Sequence, residues 1–176
     1  SDLEVGALKL GPHSTGSEPG PICYRRGGRQ PAVTDANVVL GRIGADSFLG
    51  GEMPLDVESA RRGIESTLAL PLGMSTVQAA LGIVRIAVAK MSLAVRAVSV
   101  ERGYDPRDFA LVAIGGAGPL HAVEIARDLR IPRSSYPICQ HTFPRWACSW
   151  PMCVRTTCAL TIARCALPTK IGRAHV

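Results

Sequence analysis

Two stretches of this chain hold residue types whose spacing could do chemistry. The first is Phe109-Ala-Leu-Val-Ala-Ile-Gly-Gly-Ala-Gly-Pro-Leu-His121. A short unbroken apolar run from Phe109 to Ile114 predicts a buried strand. Gly115, Gly116 and Gly118 then let the chain reverse with positive φ and leave the backbone bare to a ligand. Pro119 suits the first position of a helix, where its missing N–H would have no partner anyway. A strand feeding a helix through glycines aims several free N–H groups at one point, which makes an anion or nucleotide site. The spacing is neither G-x-G-x-x-G nor a P-loop, so a simple tight connection remains the alternative. His121, one turn into the helix, is either a further ligand contact or a residue that caps or packs.

The second stretch is Thr34-Asp35-Ala36-Asn37. A carboxylate beside an amide could hold a metal-bound water or orient a substrate. Asp35 also suits the N-cap of a short helix through Leu40. A third cluster, Arg25, Arg26 and Arg29, lies in a turn-rich segment from Gly11 to Gly28 and could meet a phosphate. The competing reading is a solvated basic turn.

The elements that must position these residues follow from periodicity and caps. Ala7 to Leu10 alternates weakly and predicts a strand end. Asp56 predicts the cap of a helix from Val57 to about Leu68, with Glu58 in the favourable first turn; Pro71 and Gly73 end it. Ser75 and Gln78 form a capping box that opens the longest helix, Thr76 to about Arg102. Val77, Leu81, Val84, Val88, Met91, Val95 and Val98 repeat at steps of four and three, a continuous apolar stripe. Ile83, Ile86, Ala87 and Leu93 widen it, so the helix is expected to be covered on most sides, with Met91 in the core. Ile131-Pro132 closes the last helix, and a further strand is expected to run toward Ile138. The order helix, long helix, strand, glycine turn, helix, strand defines an α/β class.

The 176 residues suffice for one domain with a real core, and an aromatic content of 5 % means that Ala, Val, Leu and Ile must build it. No apolar run reaches the roughly 18 residues that would predict a membrane span. The net charge of +6 is unevenly placed: residues 1–128 carry 13 Lys and Arg against 14 Asp and Glu, whereas residues 129–176 carry 7 Lys and Arg and no acid. The basic balance therefore gives the main body no nucleic-acid face. Neither nucleic acid nor membrane is expected as a partner.

Several motifs together resemble the hydantoinase A/5-oxoprolinase family. They are Gly11-Pro12-His13-Ser14-Thr15-Gly16, Pro19-Gly20-Pro21-Ile22-Cys23-Tyr24, Thr34-Asp35-Ala36-Asn37 with Leu40-Gly41-Arg42, Phe48-Leu49-Gly50-Gly51, Ser99-Val100-Glu101-Arg102-Gly103-Tyr104-Asp105-Pro106-Arg107, and Gly115-Gly116-Ala117-Gly118-Pro119-Leu120-His121-Ala122. The resemblance runs from about Gly6 to Phe143. It implies part of an actin, heat-shock-70 and sugar-kinase-like ATPase domain, ribonuclease H-like and incomplete here. It implies ATP-dependent opening of a cyclic amide, hydantoin or 5-oxoproline, through a phosphorylated intermediate. Some members are instead subunits of ketone carboxylases, and other members of the fold are non-catalytic nucleotide-binding modules. The implied catalytic residues are Asp35 and Asn37; the implied ATP contacts are Gly115, Gly116, Gly118 and His121. A divalent metal, Mg or Mn, a cytoplasmic setting and a second subunit or domain of the hydantoinase B type are implied as well. Two positions depart from the pattern: Arg25 stands where a small residue is common, and Thr15 where Ala is expected.

Residues 1–143 therefore read as the C-terminal part of that ATPase domain, a piece expected to be inactive alone. Residues 144–176 read as an out-of-frame, non-native tail. Restoring one base after Phe143 turns Pro144 to Arg155, with one consistent codon choice, into Ser-Ala-Leu-Gly-Met-Leu-Met-Ala-Asp-Val-Arg, which is similar to the family. Ile171 to Val176 resembles a translated sequencing adapter. A zinc site from Cys148, Cys153, Cys158, Cys165 and His175 is the rival, and it lacks the tight C-x₂-C pairs of common zinc sites.

Overall fold

Local caps and apolar spacing place the elements close to where the sequence predicts them, with instructive shifts at their ends. The structure, a computed structural model, describes residues 2–4, 7–11, 14–46, 48–135 and 160–164. The tail cysteines, His175, the adapter-like end and the stretch after Ser135 toward Ile138 lie outside the described residues. The chain divides into two units, Ser1–Lys90 and Met91–Val176.

In the first unit a hairpin pairs β1 (Asp2–Glu4) with β2 (Ala7–Lys9), antiparallel, with Leu3 opposite Leu8. Two helices follow: α1 (Val33–Val39) and α2 (Val57–Ile64). Asp56 caps α2 as expected, its carboxylate accepting the N–H of Ser59 at 2.9 Å. The α2 path then widens into a π turn over Glu65–Ala69 and closes in the short α3 (Leu70–Leu72), with Gly73 left-handed at its end. Pro71 gives a reason for the wider turn. It has no N–H to donate, and its ring would crowd the carbonyl of Thr67 in regular helix.

The capping box forms at the start of α4 (Thr76–Val98): Ser75 N–H donates to Gln78 Oε1 at 2.9 Å, and Gln78 N–H to Ser75 Oγ at 3.3 Å. Within this unit α4 buries Ala79, Ala80, Ile83 and Val84 against Ala36, Ile64, Leu68 and Ala69. Leu8 and Leu10 pack on the same cluster, and Lys90 Nζ donates to the carbonyl of Leu10. A smaller cluster joins Cys23, Val38, Leu55 and Ala60. Fully burying an aliphatic side chain of this size contributes about 1.5–3 kcal/mol, so Ile64, Leu68 and Ile83 anchor the unit.

The described residues leave part of the expected apolar surface of α4 exposed. Val77 is 47 % exposed, Leu93 61 %, and Met91 only half-buried. The small residues Ala79, Ala80 and Ala87 take much of the contact face instead, because they let neighbouring backbone approach. The helix also ends at Val98, before the expected Arg102. Ser99 Oγ donates to the Val95 carbonyl at 2.7 Å, a competing bond that favours an end, and Val100–Arg102 tightens to a 3-10 turn before left-handed Gly103.

In the second unit β3 (Phe109–Ala113) is the central strand of a three-stranded sheet. It runs parallel to β4 (Arg133–Ser135) and antiparallel to β5 (Leu160–Arg164). Helix α5 (Gly118–Asp128) makes the crossover from β3 to β4 and buries Ala122, Ile125 and Ala126. This is a βαβ unit, and the molecule is of mixed helix and strand as predicted. Strand β5, Leu160-Thr-Ile-Ala-Arg164, carries β-branched Thr161 and Ile162 near its centre. Among the described residues no helix is long and apolar enough to cross a membrane.

Candidate functional site

The expected site residues fall in both units. Asp35 and Asn37 belong to the first, Gly115 to His121 to the second.

Around Asp35 the chain builds a closed polar knot. Asp35 is the third residue of α1, one turn inside the N-cap position expected for it; Ala32 is the N-cap. Its carboxylate reaches back to accept the Ala32 N–H at 2.8 Å, satisfying one orphan donor of the helix start. It also accepts the N–H of Ile22 at 3.1 Å and of Cys23 at 2.8 Å, both in the 3-10 turn Ile22–Tyr24. Asp35 is 0 % exposed. The carboxylate thus joins the turn to the helix, and both oxygens are engaged. Asn37 is 2 % exposed and its Nδ2 donates to the Val33 carbonyl at 3.0 Å. The expectation that these two groups act on a substrate meets side chains that face the interior and hold backbone.

The neighbours of Asp35 respond to it. Burial, reinforced by the Asp35 charge and a hydrogen bond to that carboxylate, pushes the Cys23 thiol well above its ordinary range. Burial pushes the Tyr24 phenol up as well, and its ring lies 5.7 Å from that of Phe48. A second carboxylate braces the same turn. The Asp56 N–H donates to the Cys23 carbonyl at 3.0 Å. Its side chain accepts from Ser59 N, from Ser59 Oγ at 2.7 Å and from Arg25 Nε at 2.7 Å. These donors, Ser59 first and Arg25 next, hold the Asp56 carboxyl well below the usual carboxylate range. Sequence reasoning missed this Arg25–Asp56 latch, since 31 residues separate the partners. The one signal was Arg25 itself, standing where a small residue is common; it adopts left-handed backbone, φ +57°.

In the second unit the glycine turn forms between β3 and α5. Only Gly115 takes positive φ, +85°; Gly116 and Gly118 do not, which corrects the reading of three reversing glycines. A Cβ on Gly115 or Gly116 would meet nothing within 4 Å, so this backbone is open to a ligand. Gly118 is buried at the first position of α5, and a Cβ there would lie 3.8–4.0 Å from Ala113. Pro119 is therefore the second helical residue, not the first. His121 is 4 % exposed, buried within α5.

Strand β3, the open glycine turn and α5 thus form one continuous βα junction. The profile of the hydantoinase/oxoprolinase family matches residues 2–153, and the chain belongs to that family. The caprolactamase subunit alpha of Pseudomonas jessenii is 45 % identical over 126 residues, covering 72 % of this chain and 18 % of that one. The acetophenone carboxylase gamma subunit of Aromatoleum aromaticum is 47 % identical over 122 residues, covering 69 % and 17 %. The crystal structure of the ATP-dependent caprolactamase from Pseudomonas jessenii superposes with a TM-score of 0.74 at 42 % identity, covering 79 % of this chain and 20 % of that one. The chain thus spans about a fifth of the length of these relatives.

Proposed function

We propose that this chain is the nucleotide-side segment of an ATP-dependent hydrolase that opens a cyclic amide. The observation that carries the reading is its superposition on an ATP-dependent caprolactamase at 42 % identity. The cleavage logic is general: transferring a phosphoryl group to the amide oxygen turns a poor electrophile into a good one. Hydantoin, 5-oxoproline and caprolactam are the substrate candidates.

The Gly115–His121 turn would face ATP through the open backbone of Gly115 and Gly116. The eleven-residue helix α5 opens at this turn, so its dipole favours an anion there. His121 would support that turn from within the helix. Asp35 and Asn37 would serve as positioning residues that fix the Ile22–Tyr24 turn. Mg or Mn finds no built site: among the described residues no group of three or more His, Cys, Asp or Glu could hold a metal ion. A partner of the hydantoinase B type is proposed because the relatives above are named as subunits.

The second reading is a ketone carboxylase subunit. It is favoured by the identity of 47 % to the acetophenone carboxylase gamma subunit, no lower than the 45 % to the caprolactamase subunit. The protein copurified with its partner subunit separates the two. ADP release stimulated by caprolactam, hydantoin or 5-oxoproline supports the hydrolase. Release that needs both acetophenone and bicarbonate supports the carboxylase.

A further inference from the structure

We propose that the turn Arg25-Arg-Gly-Gly-Arg29 binds a small multivalent oxyanion of the phosphate class, separately from the α5 glycine turn. Three observations carry this. First, the turn is rigidly held. Asp35 fixes the N–H groups of Ile22 and Cys23, Asp56 bonds the Cys23 carbonyl and the Arg25 side chain, and Gly20 N–H donates to the Thr15 carbonyl at 3.2 Å. A Cβ on Gly28 would lie 2.2 Å from the Gly20 carbonyl oxygen, so the turn closes on itself with no room for a methyl. A merely solvated basic turn has no need of such fixing.

Second, the turn is strained in a way that exposes donors. Arg25 and Gly27 both lie in left-handed backbone, φ +57° and +89°. Left-handed geometry at a non-glycine residue is unfavourable, and it persists here because Asp56 holds the Arg25 guanidinium through Nε. Among the described residues nothing accepts the N–H of Arg26, Gly27, Gly28, Arg29 or Gln30. Consecutive backbone donors around left-handed residues are the usual makings of an anion-binding concavity.

Third, the charges are of one sign and available. Arg26 and Arg29 are exposed and have no acidic partner among the described residues, while the Arg25 bond to Asp56 runs through Nε. Guanidinium forks bond oxyanions in pairs, which suits a phosphate rather than a single point charge.

The test is phenylglyoxal footprinting of the full chain by mass spectrometry, with and without inorganic phosphate. Saturable protection of Arg26 and Arg29 is expected, with exposed Arg61, Arg62 and Arg102 unprotected. Calorimetry should show phosphate affinity falling at least tenfold in the double variant Arg26→Gln/Arg29→Gln and holding in Arg61→Gln/Arg62→Gln. A parallel arm with ATP assigns the source: protection at lower ATP than phosphate marks a nucleotide's phosphate tail, and protection by phosphate alone marks a free oxyanion. Equal modification of Arg26 and Arg29 with and without either anion would overturn the proposal. So would protection shared by Arg102, or unchanged affinity in the double variant. The phosphate arm and the Arg26→Gln/Arg29→Gln variant do not involve the α5 turn, so failure there leaves the ATP reading standing, and the reverse holds too.

Discussion

The carboxylate of Asp35 accepts the backbone N–H of Cys23 at 2.8 Å, across twelve residues of chain. That bond ties a glycine- and proline-rich turn to the first turn of α1, and it changes what a substitution at Asp35 should report. An Asn caps helices about as well as Asp, so a simple cap would tolerate the exchange. Here the carboxylate meets three N–H donors, and an amide would turn its own NH₂ toward at least one of them. Asp35→Asn should therefore lower stability by about 1–3 kcal/mol, the cost of a buried donor left without an acceptor. Urea unfolding of the two proteins checks it; an unchanged midpoint would show that the knot contributes nothing.

A second prediction concerns two glycines that differ in what they touch. A Cβ on Gly63 would stand 2.3 Å from Ile22 Cδ1, the mobile end of a side chain, whereas one on Gly28 would meet backbone oxygen. Gly63→Ala should cost about 1–3 kcal/mol, and adding Ile22→Val, which deletes that methyl, should recover most of it. Gly28→Ala should cost at least as much, with no side-chain change able to relieve it. Thermal melts of the three variants decide; failure of Ile22→Val to rescue Gly63→Ala would refute the assigned contact.

These cases mark how far the sequence was legible. Asp56 and Ser75 with Gln78 declare helix starts through neighbours within four residues, so local reading placed the beginnings of α2 and α4 correctly, while their ends fell short of the expected Leu68 and Arg102. The β3-to-α5 junction was legible for the same reason. Asp35 was assigned to α1 but misplaced by one turn, because its decisive partners, Ile22 and Cys23, lie a loop away. The π turn before Pro71 and the Arg25–Asp56 latch were invisible, since each depends on three-dimensional crowding rather than spacing. The burial of His121 and the exposure of Val77 and Leu93 likewise depend on which neighbours arrive.

The Asp56 carboxyl supplies a pH prediction. Its folded value lies below the ordinary 3.8, so the group binds a proton more readily when unfolded. The stability it contributes is present above about pH 4 and is lost as pH falls from there toward the depressed folded value. Asp56→Asn keeps a capping oxygen for Ser59 but gives up the charge facing Arg25. The stability gap between wild type and Asp56→Asn should be open at pH 7 and narrow steadily below pH 4. Chemical denaturation across pH 3 to 7 follows it, and a gap that stays constant would contradict the assigned role.

The last prediction separates binding from folding at the glycine turn. Gly118 is the obvious target by motif, but its Cβ direction faces Ala113, so Gly118→Val would push on β3 and mix the two effects. Gly115 is compromised differently: at φ +85° any side chain is strained, at a cost of about 1 kcal/mol. Gly116 has neither difficulty, since it lacks positive φ and a Cβ there meets nothing within 4 Å. Added bulk at Gly116 therefore occupies the open side of the turn, where the proposed nucleotide approaches the backbone. Gly116→Val, in the protein assembled with its partner subunit, should leave the melting temperature nearly unchanged and weaken ATP binding at least tenfold by calorimetry. Full affinity in a well-folded Gly116→Val protein would mean that ATP does not approach this turn, and the assignment of Gly115, Gly116, Gly118 and His121 to the nucleotide would fall with it.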